Sequence, residues 1–158
     1  MEERKRLTGA LRDMDGTPYK PLGAKSEKGV GADCSGLLFV VAQKAGFKKT
    51  PYSPVLGFAS NEGWIEVQKG SFSESKVDDG DAIQMVLPDP RRPGQTTNHV
   101  VMYDLEADKK KWHNIRHASP TANMVKSATL ESLLKKGGRV EAVYRLHSIS
   151  EDTEAKDR

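Results

Sequence analysis

The sequence predicts an α+β domain in which an antiparallel sheet packs against a helix opening at Cys34. Three observations carry that prediction: apolar residues at helical spacing early in the chain, Val-, Ile- and Tyr-rich strand-like runs in its second half, and short connections between them.

Leu7, Ala10, Leu11 and Met14 share one helical face, and Asp15-Gly16-Thr17-Pro18 ends that helix. A polar stretch over 20–32, broken by Gly23, Gly29 and Gly31, reads as a loop. The run from Cys34 to Gly46 is apolar on nearly every side and stops at a glycine suited to the C′ position, as a buried helix does. Asp33 and Ser35 are both capping residue types, which puts Cys34 in the first turn. Over 48–70, Pro51, Pro54 and Gly57 make the chain irregular around one short helix at 55–60; the stretch reads as a cleft wall or equally as a surface excursion.

Strands are expected over 82–87, 98–105, 112–118 and 139–146. Residues 106–110 form the turn between the second and third, and 127–136 a helix closed by Gly137-Gly138. A single domain is expected over 1–147. The charged segment 148–158 lacks apolar residues after Ile149 and reads as a disordered tail.

Composition narrows the partners. The net charge is +3 over 158 residues, and the short runs Arg4-Lys5-Arg6 and Lys109-Lys110-Lys111 are interspersed with acids, so nucleic-acid binding is not expected. No stretch approaches the about 20 apolar residues of a membrane helix. The opening Met-Glu-Glu-Arg-Lys-Arg-Leu has no apolar segment behind it, so no secretory signal is expected in the sequence as given.

The single cysteine, Cys34, excludes an internal disulfide and a metal site built on several thiolates. Neither a helical His-x-x-x-His pair nor Cys-x-x-Cys is present, so no metal and no cofactor are expected. A lone cysteine is ordinarily a small buried hydrophobe. In the first turn of a helix, however, the dipole and unpaired amides favour the thiolate and can hold an oxyanion. The four histidines are His99, His113, His117 and His147. His99 heads an apolar strand and His117 lies near the end of the next. If those strands pair, both rings reach the start of the Cys34 helix, giving a nucleophile, a base and an orienting group. His113 shares the face of His117 by even spacing and competes for the third role, while His147 has no evident part.

These residues also resemble a known family. Asp33-Cys34-Ser35-Gly36-Leu37-Leu38 is similar to the Asp-Cys-Ser-Gly-Leu-Val signature of NlpC/P60 peptidases. Gly16-Thr-Pro-Tyr19, Gly80-Asp81-Ala-Ile, His99-Val-Val-Met-Tyr103 and His117-Ala118-Ser119 resemble that family's further segments, in the same order. Two departures stand out: Tyr19-Lys-Pro-Leu-Gly23 replaces Tyr-x-x-Gly-Gly, and Gln84-Met85 replaces aromatic residues after Gly-Asp.

The resemblance implies a papain-like fold and hydrolysis of amide bonds in peptidoglycan stem peptides, often between D-glutamate and the diamino acid. Cys34, His99 and His117 would be catalytic, Tyr19, Asp33 and Ser35 would face substrate, and no cofactor would be needed. The enzyme would act in the periplasm or cell wall. An interbacterial toxin with an immunity partner, a phage lytic enzyme of the same chemistry, or a non-catalytic wall-peptide or protein binder are the alternatives.

Overall fold

The computed structural model describes residues 2–149. The chain runs α1 (Glu2–Asp13), α2 (Cys34–Lys44), β1 (Trp64–Lys69), β2 (Ala82–Pro88), β3 (Thr96–Asp108), β4 (His113–Ser119), β5 (Met124–Ala128), α3 (Leu130–Lys135) and β6 (Arg139–Leu146). Short 3-10 turns lie at Gly23–Lys25, Val55–Ser60 and Glu74–Lys76. The six strands form one antiparallel sheet in the order β1-β6-β2-β3-β4-β5.

Alternation along the strands divides their side chains between two cores. Ala82, Val100, Met102, Ala118 and Tyr144 face α1 and α2, against which Leu7, Leu11, Leu37, Leu38 and Val41 are buried. Each such leucine contributes about 2 kcal/mol by leaving water. The opposite face carries Ile83, Met85, Val101, Tyr103, Ile115 and Val143 beneath Leu130 and Leu133 of α3.

Two buried carboxylates pin this arrangement. Asp104 on β3 accepts a bidentate pair from Arg12 of α1 at 2.8 and 2.7 Å. Asp81, fully buried just before β2, accepts another from Arg145 of β6 at 2.9 and 2.8 Å. A buried carboxylate needs such partners to remain charged. Gly80 beside it has φ +86, and a Cβ there would press on Leu7, so α1 packs directly on this backbone.

The structure has two strands that the sequence pattern did not disclose, β1 and β5. Both are sheet edges, and only Trp64 in one and Val125 in the other are fully enclosed, so neither shows a strong apolar alternation. Segment 124–128 is strand, and the helix expected over 127–136 is Leu130–Lys135, capped by Thr129. Of the segment read as a tail, Ile149 is buried in the α1–α2 core, and 150–158 lie outside the described residues.

Candidate active site

The start of α2 is held by Asp33. Its extended backbone leads into the helix, Oδ1 accepts from Gly36 N–H at 2.9 Å, and Oδ2 accepts from Gly23 N–H at 3.0 Å. One carboxylate therefore caps the helix and ties the 3-10 turn at Gly23–Lys25 to it. The junction is tight: a Cβ on Gly36 would overlap Ser26 Oγ and the Gly23 carbonyl, so only glycine fits. Ser35 is buried, and its Oγ lies 2.9 Å from the Tyr52 hydroxyl, whose ring meets Phe39 edge-on. Tyr52 is a member of this site that the sequence reading did not single out. It comes from the irregular segment and carries no motif.

Cys34 is 8% exposed at the first turn of α2 and belongs to the core that α2 shares with Val100 of β3 and Ala118 of β4. The β2–β3 ladder continues to Pro88↔Thr96 and the β4–β5 ladder to Ser119↔Met124. Between β3 and β4 the pairing at that end stops at Met102↔Arg116. Tyr103 N–H bonds back to Asp81 on the β2 side, so by alternation Val100 N–H points toward β4, into the open end of the ladder. That N–H lies near enough to the Cys34 sulfur to favour its charged form.

His99 and His117 lie on the sheet face opposite α2. His99 lies opposite Met85 and on the face of Val101, away from α2, and is 3% exposed. His117, 5% exposed, places Nδ1 at 2.7 Å from His99 Nε2, with the rings edge to face. His113 is turned elsewhere, its Nδ1 2.7 Å from Ser127 Oγ. His147 is exposed beyond β6, two strands away from β3.

Electrostatics differ from the expectation of a helix-activated thiolate. Burial pushes the Cys34 thiol up, and the nearby Asp33 adds to this. The N–H groups of Val100, Ser35 and Cys34 oppose it without reversing it. Burial takes His99 down to about 4. Burial, followed by the charges of His99, Lys126 and Lys136, takes His117 to about 3. At neutral pH the resting site holds a neutral thiol and two neutral imidazoles.

Tyr19 is half-buried within electrostatic reach of Cys34, Asp33 and Arg91, and its backbone bridges Ala32 just before α2. Arg91 comes from the loop over 89–97 between β2 and β3, a long basic segment that the sequence reads as one side of the cleft, and its charge acts on Tyr19. Among the described residues no cluster of three or more His, Cys, Asp or Glu has the arrangement of a metal site. No helix among them is long and apolar enough to cross a membrane.

No protein-family model and no curated protein matches the sequence. Solved structures do match the fold. The NlpC/p60 domain of the peptidoglycan hydrolase SagA gives a TM-score of 0.57 at 18% identity, over 90% of this chain and 98% of that one. NlpC2 from Trichomonas vaginalis gives 0.56 at 18% identity, over 89% of this chain and 45% of that one. An N-acetylmuramoyl-L-alanine amidase from Bacteroides uniformis gives 0.56 at 14% identity, over 92% and 99%. The chain has the α+β fold of NlpC/p60 domains.

Proposed function

We propose that this chain is a cysteine hydrolase of peptidoglycan stem peptides, with the amide between D-glutamate and the diamino acid as its target. One observation carries the reading: Cys34, at the capped start of α2, is buried in the core that α2 shares with Val100 of β3 and Ala118 of β4, the residues next in sequence to the hydrogen-bonded His99 and His117. The fold shared with the peptidoglycan hydrolase SagA domain and with the Bacteroides uniformis amidase agrees with that chemistry.

In this reading His99 takes the thiol proton as the sulfur attacks the substrate carbonyl, so charge separates only during the step. The helix-start amides face the developing oxyanion. His99 then gives the proton to the departing amine as the C–N bond breaks. Water, deprotonated by His99, hydrolyses the thioester and regenerates the thiol. His117 orients the ring of His99 and stabilises its transient charge. Tyr19, within electrostatic reach of the thiol, contacts substrate, whereas the side chain of Asp33 is engaged in holding the helix start and that of Ser35 in its bond to Tyr52. The site of action is the periplasm or cell wall.

The test is incubation of freshly reduced protein with purified sacculi and soluble muropeptides, beside Cys34→Ala, with products identified by mass spectrometry. New free amino and carboxyl termini from the wild type alone support the reading. Equal products from both proteins, or none from the wild type on several wall types, overturn it.

A further inference from the structure

A cavity of about 610 Å³ lies on the sheet face opposite α2, against the far side of the histidine pair. That size suits a small ligand or a few residues of a peptide. Its polar lining includes Lys126 and Lys136, three histidines with His99 and His117 among them, and six Ser and Thr side chains, and no Asp or Glu contributes to the wall. Among the described residues neither Lys126 nor Lys136 ion-pairs with a carboxylate. Lys126 stands opposite His117 across the β4–β5 ladder, and the charges of both lysines act on His117, so the cations lie beside the histidine pair. Two ammonium groups and six hydroxyls around a cavity without acids are the complement of a carboxylate.

We infer that this cavity is a carboxylate-binding subsite, in which Lys126 and Lys136 take a free carboxylate of the peptide beside the scissile amide. The inference rests on the proposed hydrolysis of stem peptides and adds a selection rule to it: acidic stem peptides are preferred over amidated ones. Neither lysine touches reacting atoms; both act by holding one end of the substrate.

The experiment measures binding by calorimetry to Cys34→Ala protein, so that turnover does not intervene. The probes are L-alanyl-γ-D-glutamyl-diaminopimelate as the free acid and the same tripeptide with its free carboxyls amidated. The free acid is expected to bind about 5- to 10-fold more tightly, the range of two partly exposed ion pairs, and added salt should erode the difference. Lys126→Gln with Lys136→Gln should remove the preference. Equal affinity for the two peptides, or a preference that survives the double substitution, overturns the inference; the peptide comparison needs no variant of the lysines. Acid-selective binding without any hydrolysis by the wild type would remove the proposed activity and leave the subsite standing. Hydrolysis of acid and amidated peptides with equal KM would do the reverse.

Discussion

His99 Nε2 and His117 Nδ1 lie 2.7 Å apart, and this contact decides which nitrogen can serve as a base. Two neutral imidazoles sharing a hydrogen bond need one donor and one acceptor. If His99 donates from Nε2, its Nδ1 is left with a bare lone pair, and His117 carries its own proton on Nε2. The opposite assignment places a proton on His99 Nδ1 and leaves no base for the thiol. The proposed mechanism therefore needs His117 as an acceptor, and its low pKa of about 3 keeps that ring neutral so that one nitrogen can accept.

Replacing His117 tests this directly. His117→Ala should lower kcat/KM on muropeptides by about 100-fold, the lower end of what proton-transfer groups supply. His117→Asn, which presents an amide oxygen, should retain more activity than His117→Ala. Full activity in His117→Ala together with loss in His113→Ala would move the third role to His113.

The same pair makes the fold sensitive to acid. In the unfolded chain each histidine titrates near 6.5, whereas in the folded chain His99 does so at about 4. Between those values the unfolded state binds more protons, so stability falls as pH falls from about 6.5 toward 4, and the loss levels off below the folded value. By pH 5 His99 alone should cost about 2 kcal/mol. Urea unfolding at pH 7 and pH 5 measures it, and His99→Gln should flatten the difference. Equal midpoints for the wild type at the two pH values would mean the rings are solvated.

Burial also sets the thiol. Because Cys34 is pushed upward, its rate of alkylation by iodoacetamide should rise with a midpoint above the about 8.5 of a free thiol. A reactive plateau extending below pH 7 would show a preformed thiolate–imidazolium pair, and the general-base account would fail.

Much of this was readable in the sequence, and the divide follows the physics. The buried helix from Cys34 and the central strands bearing His99 and Val143 have apolar patterns imposed by the two cores, so periodicity reveals them. The edge strands β1 and β5 answer to hydrogen bonding more than to burial, and left little pattern. Cys34 and the histidines were recognisable as residue types at suggestive places. The splayed ladder between β3 and β4 was not, because it depends on register across distant segments. Tyr52 and Arg91 come from segments 48–70 and 89–97, which were legible as cleft walls but not residue by residue, and the lysines of the cavity come from β5 and the end of α3, which carry no motif. The raised thiol went unforeseen for a related reason: helix position was legible, but the depth of burial that outweighs it was not.

Asp33 separates a structural role from a substrate role. Its two oxygens are already taken by Gly36 and Gly23 N–H, so Asp33→Ala should cost about 1–2 kcal/mol, the usual loss for an N-cap, with the unpaired Gly23 amide adding to it. Asp33→Asn keeps one acceptor oxygen and should cost less. Both variants loosen the turn that carries Cys34, so kcat should fall while KM stays near the wild-type value. Were Asp33 instead to bind substrate, KM would rise and stability would hold. Urea midpoints and Michaelis parameters measured on the same preparations distinguish the two, because a cap acts on the folded state before any peptide arrives.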